Sequence, residues 1–71
     1  MKVKDLLEIW EPDRLITDRI VIHKKHEDKS MAIWDKEKMR WIGDVKAAMK
    51  KKVKEAWFGC AHYTLYILVE E

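Results

Sequence analysis

The last strand-like segment of this chain is apolar on both of its faces. In residues 62–69, Tyr63, Leu65, Ile67 and Val69 alternate with Thr64, Tyr66 and Leu68. Side chains of a strand alternate between the two faces of its sheet. A segment with large groups on both sides therefore predicts a central strand or an interface strand. Whatever the chain folds into must give this segment strand neighbours and a covering layer.

The means to do so are limited. The chain has 71 residues, which is one domain. A domain of this size buries only about 60% of the surface its unfolded chain exposes. Small domains compensate with disulfides, metals, oligomerisation or unusually large core side chains. Cys60 is the only cysteine, so no disulfide forms within one chain, and a lone cysteine fits a reducing compartment. Trp10, Trp34, Trp41, Trp57, Phe58, Tyr63 and Tyr66 supply bulk. Most of the tryptophans are expected in the core, but a chain this short does not easily bury all four alone, and Trp10 and either Trp34 or Trp41 are the ones expected to be partly exposed. That predicts a homodimer or higher oligomer, formed through an unpaired sheet edge or the apolar outer face of the final strand.

No stretch reaches the roughly 18 apolar residues of a membrane span. Asp5 and Glu8 interrupt the N-terminal region, so it is not expected to act as a signal peptide. A cytoplasmic location is expected.

Val3, Leu6, Leu7 and Trp10 recur with the one-faced period of a helix. Pro12 stops it, because the residue before a proline is pushed out of the helical region. Residues 14–24 read as a strand, richest at Arg19, Ile20, Val21, Ile22 and His23. Residues 31–34 and 39–42 read as two more, separated by polar turns that lack an Asn-Gly or Asp-Gly signal. A tight second hairpin would bring Trp34 and Trp41 together. Gly43 then breaks the strand and Asp44 offers a helix N-cap.

Residues 44–58 allow two readings. Val45, Ala48, Met49, Val53, Ala56 and Trp57 share one helical face, and Gly59 would end a single helix. Alternatively the helix stops near Lys51 and residues 53–58 form an extra strand. Either way the fold class is α+β: a small antiparallel sheet of four to five strands, an N-terminal helix and a second helix starting near Asp44, in the order α-β-β-β-α-β.

Charge concentrates in the same region. Residues 36–54 carry eight basic and two acidic side chains, between a nearly neutral first half and an acidic end. Arg40, Lys46, Lys50, Lys51, Lys52 and Lys54, with Trp41 and Trp57 beside them, are the candidate partner- or nucleic-acid-binding residues. Lysines would follow a phosphate backbone, and exposed rings would stack on unpaired bases. The plainer account is a solvated helix face, and lysine lacks the bidentate contacts of arginine.

His23, His26, Cys60 and His62 are four nitrogen and sulfur ligands in two close pairs, the donor types zinc prefers. Their spacings match no familiar zinc motif, and ordinary solvated side chains explain them better. No cofactor is expected. Cys60 with His62 lacks an orienting third group for nucleophilic catalysis. Asp13, Asp18, Asp28 and Asp35 are scattered singly, and the two glycines leave no room for a phosphate loop. No catalytic residue is assigned.

Residues 1–9, then Glu11, Pro12 and Asp13, then the strand around Ile20, Val21 and Ile22, resemble the opening of small phage and mobile-element proteins of Gram-positive gut bacteria. Trp41, Ile42, Gly43, Asp44 and Val45 resemble their mid-chain strand-to-helix turn. Residues 53–57 and 65–69 resemble their closing strands, and in those proteins the earlier segment is a strand. The lysine run departs from their more acidic character. The resemblance implies a non-enzymatic, homo-oligomeric protein that binds and blocks a host factor, such as a CRISPR or other defence nuclease. A single-stranded nucleic-acid-binding module is the alternative expectation, and a minimal nuclease or nickase using scattered carboxylates is a third.

Overall fold

Residues 1–10, 17–24, 29–59 and 63–70 are described by the computed structural model, Trp10 through its backbone only. Helix α1 (Val3–Trp10) turns Val3, Leu6 and Leu7 inward, the face that the sequence spacing predicts. Five strands follow the order β1 (Arg19–Lys24), β2 (Ala32–Asp35), β3 (Arg40–Gly43), β4 (Val53–Gly59) and β5 (Thr64–Val69). A short helix α2 (Val45–Lys50) lies between β3 and β4. The protein is therefore α+β, with two helices and one five-stranded sheet.

Across the sheet the strands run β3-β2-β1-β5-β4. The doubly apolar final strand takes an interior place between β1 and β4, as its pattern requires. The sheet is mixed rather than purely antiparallel, because β1 and β5 pair in parallel. The parity of the connections accounts for this. Two reversals lead from β1 to β3, the α2 crossover reverses the chain again into β4, and the β4–β5 pair makes the fourth reversal.

The single-helix reading of residues 44–58 is not what forms. Lys51 adopts extended backbone, and its N–H donates to Ala48 O as the helix ends. Two pairing demands outweigh the helical period. The outer side of β5 needs a ladder partner, which β4 provides. Val53 N–H also donates to Met1 O (2.8 Å), while Val3 N–H donates to Lys51 O (2.9 Å). Residues 51–53 are thus held between β5 and the N-terminal segment, where tertiary context decides over local preference.

The core lies between the helices and one face of the sheet. Ile20, Ile22, Ala32, Trp34, Leu65, Ile67 and Val69 point there, with Val3 from α1 and Ala48 from α2. Each fully buried isoleucine contributes roughly 2 kcal/mol of transfer free energy. Of the two hairpin tryptophans, Trp34 is buried, and Trp41, directly opposite it, is the partly exposed one, packing half-buried against the same cluster.

Two turns set the strand register. Asp35 Oδ1 accepts from Glu37 N–H (2.9 Å), an Asx turn that starts the β2–β3 connection. Met39 closes that turn at φ 52°, where glycine is the usual residue. At the end of β3, Gly43 has φ 101° and approaches Met31 O so closely that a Cβ would stand 2.6 Å from it. Asp44 follows, donating its N–H to Met31 O (3.0 Å) and accepting from Ala47 N–H through Oδ1 (3.3 Å).

Candidate interaction surface

Alternation along the strands sends every second side chain to the face away from the helices. Register then lines these side chains up across the sheet. Ile42 lies opposite Ile33, Ile33 opposite Val21, Val21 opposite Tyr66, and Tyr66 opposite Trp57. One apolar row therefore crosses all five strands. Its ends are its most open members, with Ile42 44% and Trp57 46% exposed, and Val21, Ile33 and Tyr66 are half-buried between them.

The Trp57 end is ordered by ring contacts. Trp57 and Tyr66 stack with centroids 5.5 Å apart and planes 15° from parallel. His23, from the neighbouring row, meets the Trp57 ring edge-on at 5.9 Å. Such pairs contribute about 0.5–1.5 kcal/mol beyond their burial. The indole is thus held in place while nearly half exposed, a low-entropy anchor of the kind interfaces use.

The row beside it carries charge of both signs. Arg40 lies opposite Asp35, and Asp35 lies opposite Arg19. Next to Arg19 the surface dips into a depression of about 760 Å³, lined among others by Asp18, Asp35, Glu37, Tyr63 and Tyr66. On the far side of the apolar row, Glu55 faces Leu68. This face is electrostatically mixed, unlike the one-signed groove that follows a nucleic-acid backbone.

The sequence-derived binding residues do not all gather in one place: Arg40, Trp41 and Trp57 stand apart from the lysines of residues 46–54. Arg40 and Trp57 share the helix-free face but sit on its opposite edges, β3 and β4. Trp41 turns to the helical side. Lys46 and Lys50 are exposed on α2, and Lys51 is half-buried, its backbone ending that helix. Lys52 pairs with Lys2 in an isolated antiparallel bridge. Lys54 is the extra residue where the β4 register shifts between Val53 and Glu55. The exposed rings among the described residues, Trp57 and Tyr63, are thus apart from the lysines of α2.

His26, Cys60 and His62 lie outside the described residues. Among the described residues no group of three or more His, Cys, Asp or Glu side chains is placed to hold a metal ion. No described helix is long and apolar enough to cross a membrane.

Reading residues singly missed Val21, Ile33, Ile42 and Tyr66 as one surface. The alternation of Thr64, Tyr66 and Leu68 already marked a second apolar face on β5. Only the register of four strand pairs shows that this face continues to both edges.

Fold and surface together define a small α+β protein with both helices on one side of a mixed sheet and, on the other, an apolar row that ends on Trp57 at the β4 edge. No protein-family model matches the chain, and no curated protein or solved structure matches it either.

Proposed function

We propose that this is a non-enzymatic binding protein of phage or mobile-element type, which self-associates through the helix-free sheet face and blocks a host factor. The observation that carries the reading is the apolar row from Ile42 to Trp57, which leaves a half-exposed, ring-stacked tryptophan at one end. A second copy is the occupant that suits this face. Its charged row contains both signs, Arg19 and Arg40 beside Asp35, so the same patch is able to oppose itself in a twofold dimer.

The area sets the class of interface, and the quality of its contacts sets the affinity. The molecule measures 28 × 24 × 20 Å, which limits the footprint of any one face. Stable dimers cover about 800 Å² per partner. This face falls near or below that mark, so association on the order of micromolar is expected rather than an obligate dimer.

Blocking a host factor, with a CRISPR or other defence nuclease as the leading candidate, rests on the sequence resemblance. The test is affinity capture from a Gram-positive bacterial lysate, with and without nuclease treatment. A protein retained in both samples supports the reading. Material lost on nuclease treatment supports a single-stranded nucleic-acid binder instead. That alternative has less support from geometry, because stacking and phosphate contacts run along one path in such proteins. Here Trp57 and the α2 lysines are on opposite sides of the sheet.

A further inference from the structure

Three pairs of charged residues face each other across the described strand pairings, two of opposite sign and one of like sign. Arg19 and Arg40 both oppose Asp35. Lys2 opposes Lys52. The two hydrogen bonds framing that bridge, Val3 N–H to Lys51 O and Val53 N–H to Met1 O, make it a non-hydrogen-bonded antiparallel pair. This is the closer kind of cross-strand pair, with Cα atoms about 4.5 Å apart and side chains adjacent. Like charges directly opposite each other destabilise a sheet.

Both lysines are exposed, so solvent screens them, and it is the backbone hydrogen bonds of their neighbours that hold them opposite each other. Lys50 and Lys54 flank Lys52 in the chain, and Lys4 follows Lys2 on α1; all three are exposed. Two segments far apart in sequence thus converge to bring Lys2, Lys4, Lys50, Lys52 and Lys54 to the junction of the N-terminal segment and β4, where Asp5 and Glu70 are the acidic neighbours shown by hydrogen bonds. Reading residues 36–54 alone cannot reveal Lys2 as part of that group.

We propose that the Lys2–Lys52 pair and its neighbours dock an acidic segment of a partner protein. The proposal deepens the binding-protein reading by giving the partner's chemistry, and it leaves the sheet face to self-association. Asp5 accepts from the Lys2 backbone N–H through Oδ2 (3.1 Å) and Glu70 donates its N–H to Lys52 O (3.0 Å), yet lysines outnumber these two acids at the junction, so carboxylates of a partner placed between the two ammonium groups would add the counter-charge that the cross-strand pair lacks. A protein acid fits better than a nucleic acid on two grounds. The site offers lysine point charges without an arginine fork. The exposed Trp57 and Tyr63 rings are not at the bridge.

The test uses the intact protein and end-labelled poly-L-glutamate, read by fluorescence anisotropy at low salt, with a single-stranded thymidine oligonucleotide of equal length as comparator. Poly-L-glutamate is expected to bind, more tightly than the oligonucleotide, and to dissociate as salt rises. The double variant K2Q/K52Q is expected to weaken it about tenfold or more, whereas K29Q/K38Q, with the same loss of charge at exposed sites elsewhere, changes it by less than about twofold. K2Q/K52Q should also melt higher than wild type in low salt and lose that advantage in high salt, which shows that the variant folds and that the repulsion was real. Equal weakening by the two double variants, no binding of poly-L-glutamate, or tighter binding of the oligonucleotide would overturn the proposal. None of these results alters the mass measured by light scattering, so failure here is distinct from failure of self-association.

Discussion

Replacing Gly43 with alanine tests the turn that joins the sheet to α2. Gly43 has φ 101°, a backbone conformation that L side chains rarely adopt. Holding alanine there costs on the order of 1–3 kcal/mol. The added Cβ would also stand 2.6 Å from Met31 O and 3.1 Å from Ala32 Cα. Both are backbone atoms of the neighbouring strand and cannot rotate aside. Moving Met31 O strains its bond from Asp44 N–H, worth about 1 kcal/mol net. The sum is about 3 kcal/mol, a large part of the roughly 4–10 kcal/mol expected for a chain this size. Thermal denaturation followed by circular dichroism should show Tm falling by about 12–24 °C, at roughly 4–8 °C per kcal/mol. Gly59→Ala is the control. Its nearest obstacle is the Tyr66 ring at 3.1 Å, a side chain able to shift, and about 1 kcal/mol or less is expected. A Gly43→Ala protein melting within about 3 °C of wild type would refute the turn geometry.

Three further substitutions probe the fold. Trp34→Ala removes a buried ring from the sheet-helix core and should destabilise by about 3–5 kcal/mol in urea unfolding, enough to leave much of the protein unfolded at 37 °C. Met39→Gly places glycine at φ 52° in the β2–β3 turn and should raise stability by about 0.5–1 kcal/mol, seen as a higher urea midpoint at unchanged slope. Asp44→Ala deletes the α2 cap and should cost about 1 kcal/mol in the same assay.

The legible parts of this fold are those that one segment decides by itself. The spacing of Val3, Leu6 and Leu7 defines α1, and the two-sided pattern of Leu65, Tyr66 and Ile67 predicts an interior strand. Gly43 and Asp44 mark the strand-to-helix turn because each answers a local demand, a positive φ and an orphan N–H. Where two segments compete or cooperate, the sequence says less. Val53, Ala56 and Trp57 satisfy a helical period as well as a strand, and the choice falls to β5 and the N-terminal segment, which are far away in sequence. The parallel β1–β5 pair is likewise a property of connection parity.

The proposed interaction surface shows the same division. Trp57 and Arg40 attract attention as single residues, but their shared face depends on strand pairing. Trp34 and Trp41 look equally suited to an interface, yet alternation turns both toward the helices. The turn closed by Met39 carries no glycine signal. Its cue was Asp35, whose side chain begins the turn by accepting the Glu37 N–H.

Sedimentation velocity across a concentration series addresses the central claim, that the helix-free face is a self-association surface. Wild-type protein should pass from monomer to dimer over a range on the order of micromolar. Trp57→Ser should stay folded, because Trp57 is half exposed. The same substitution should weaken the dimer by roughly 30-fold or more, the effect of losing a hot-spot residue worth about 2 kcal/mol. A wild-type protein that remains monomeric throughout, or a dimer that Trp57→Ser leaves unchanged, would contradict the account.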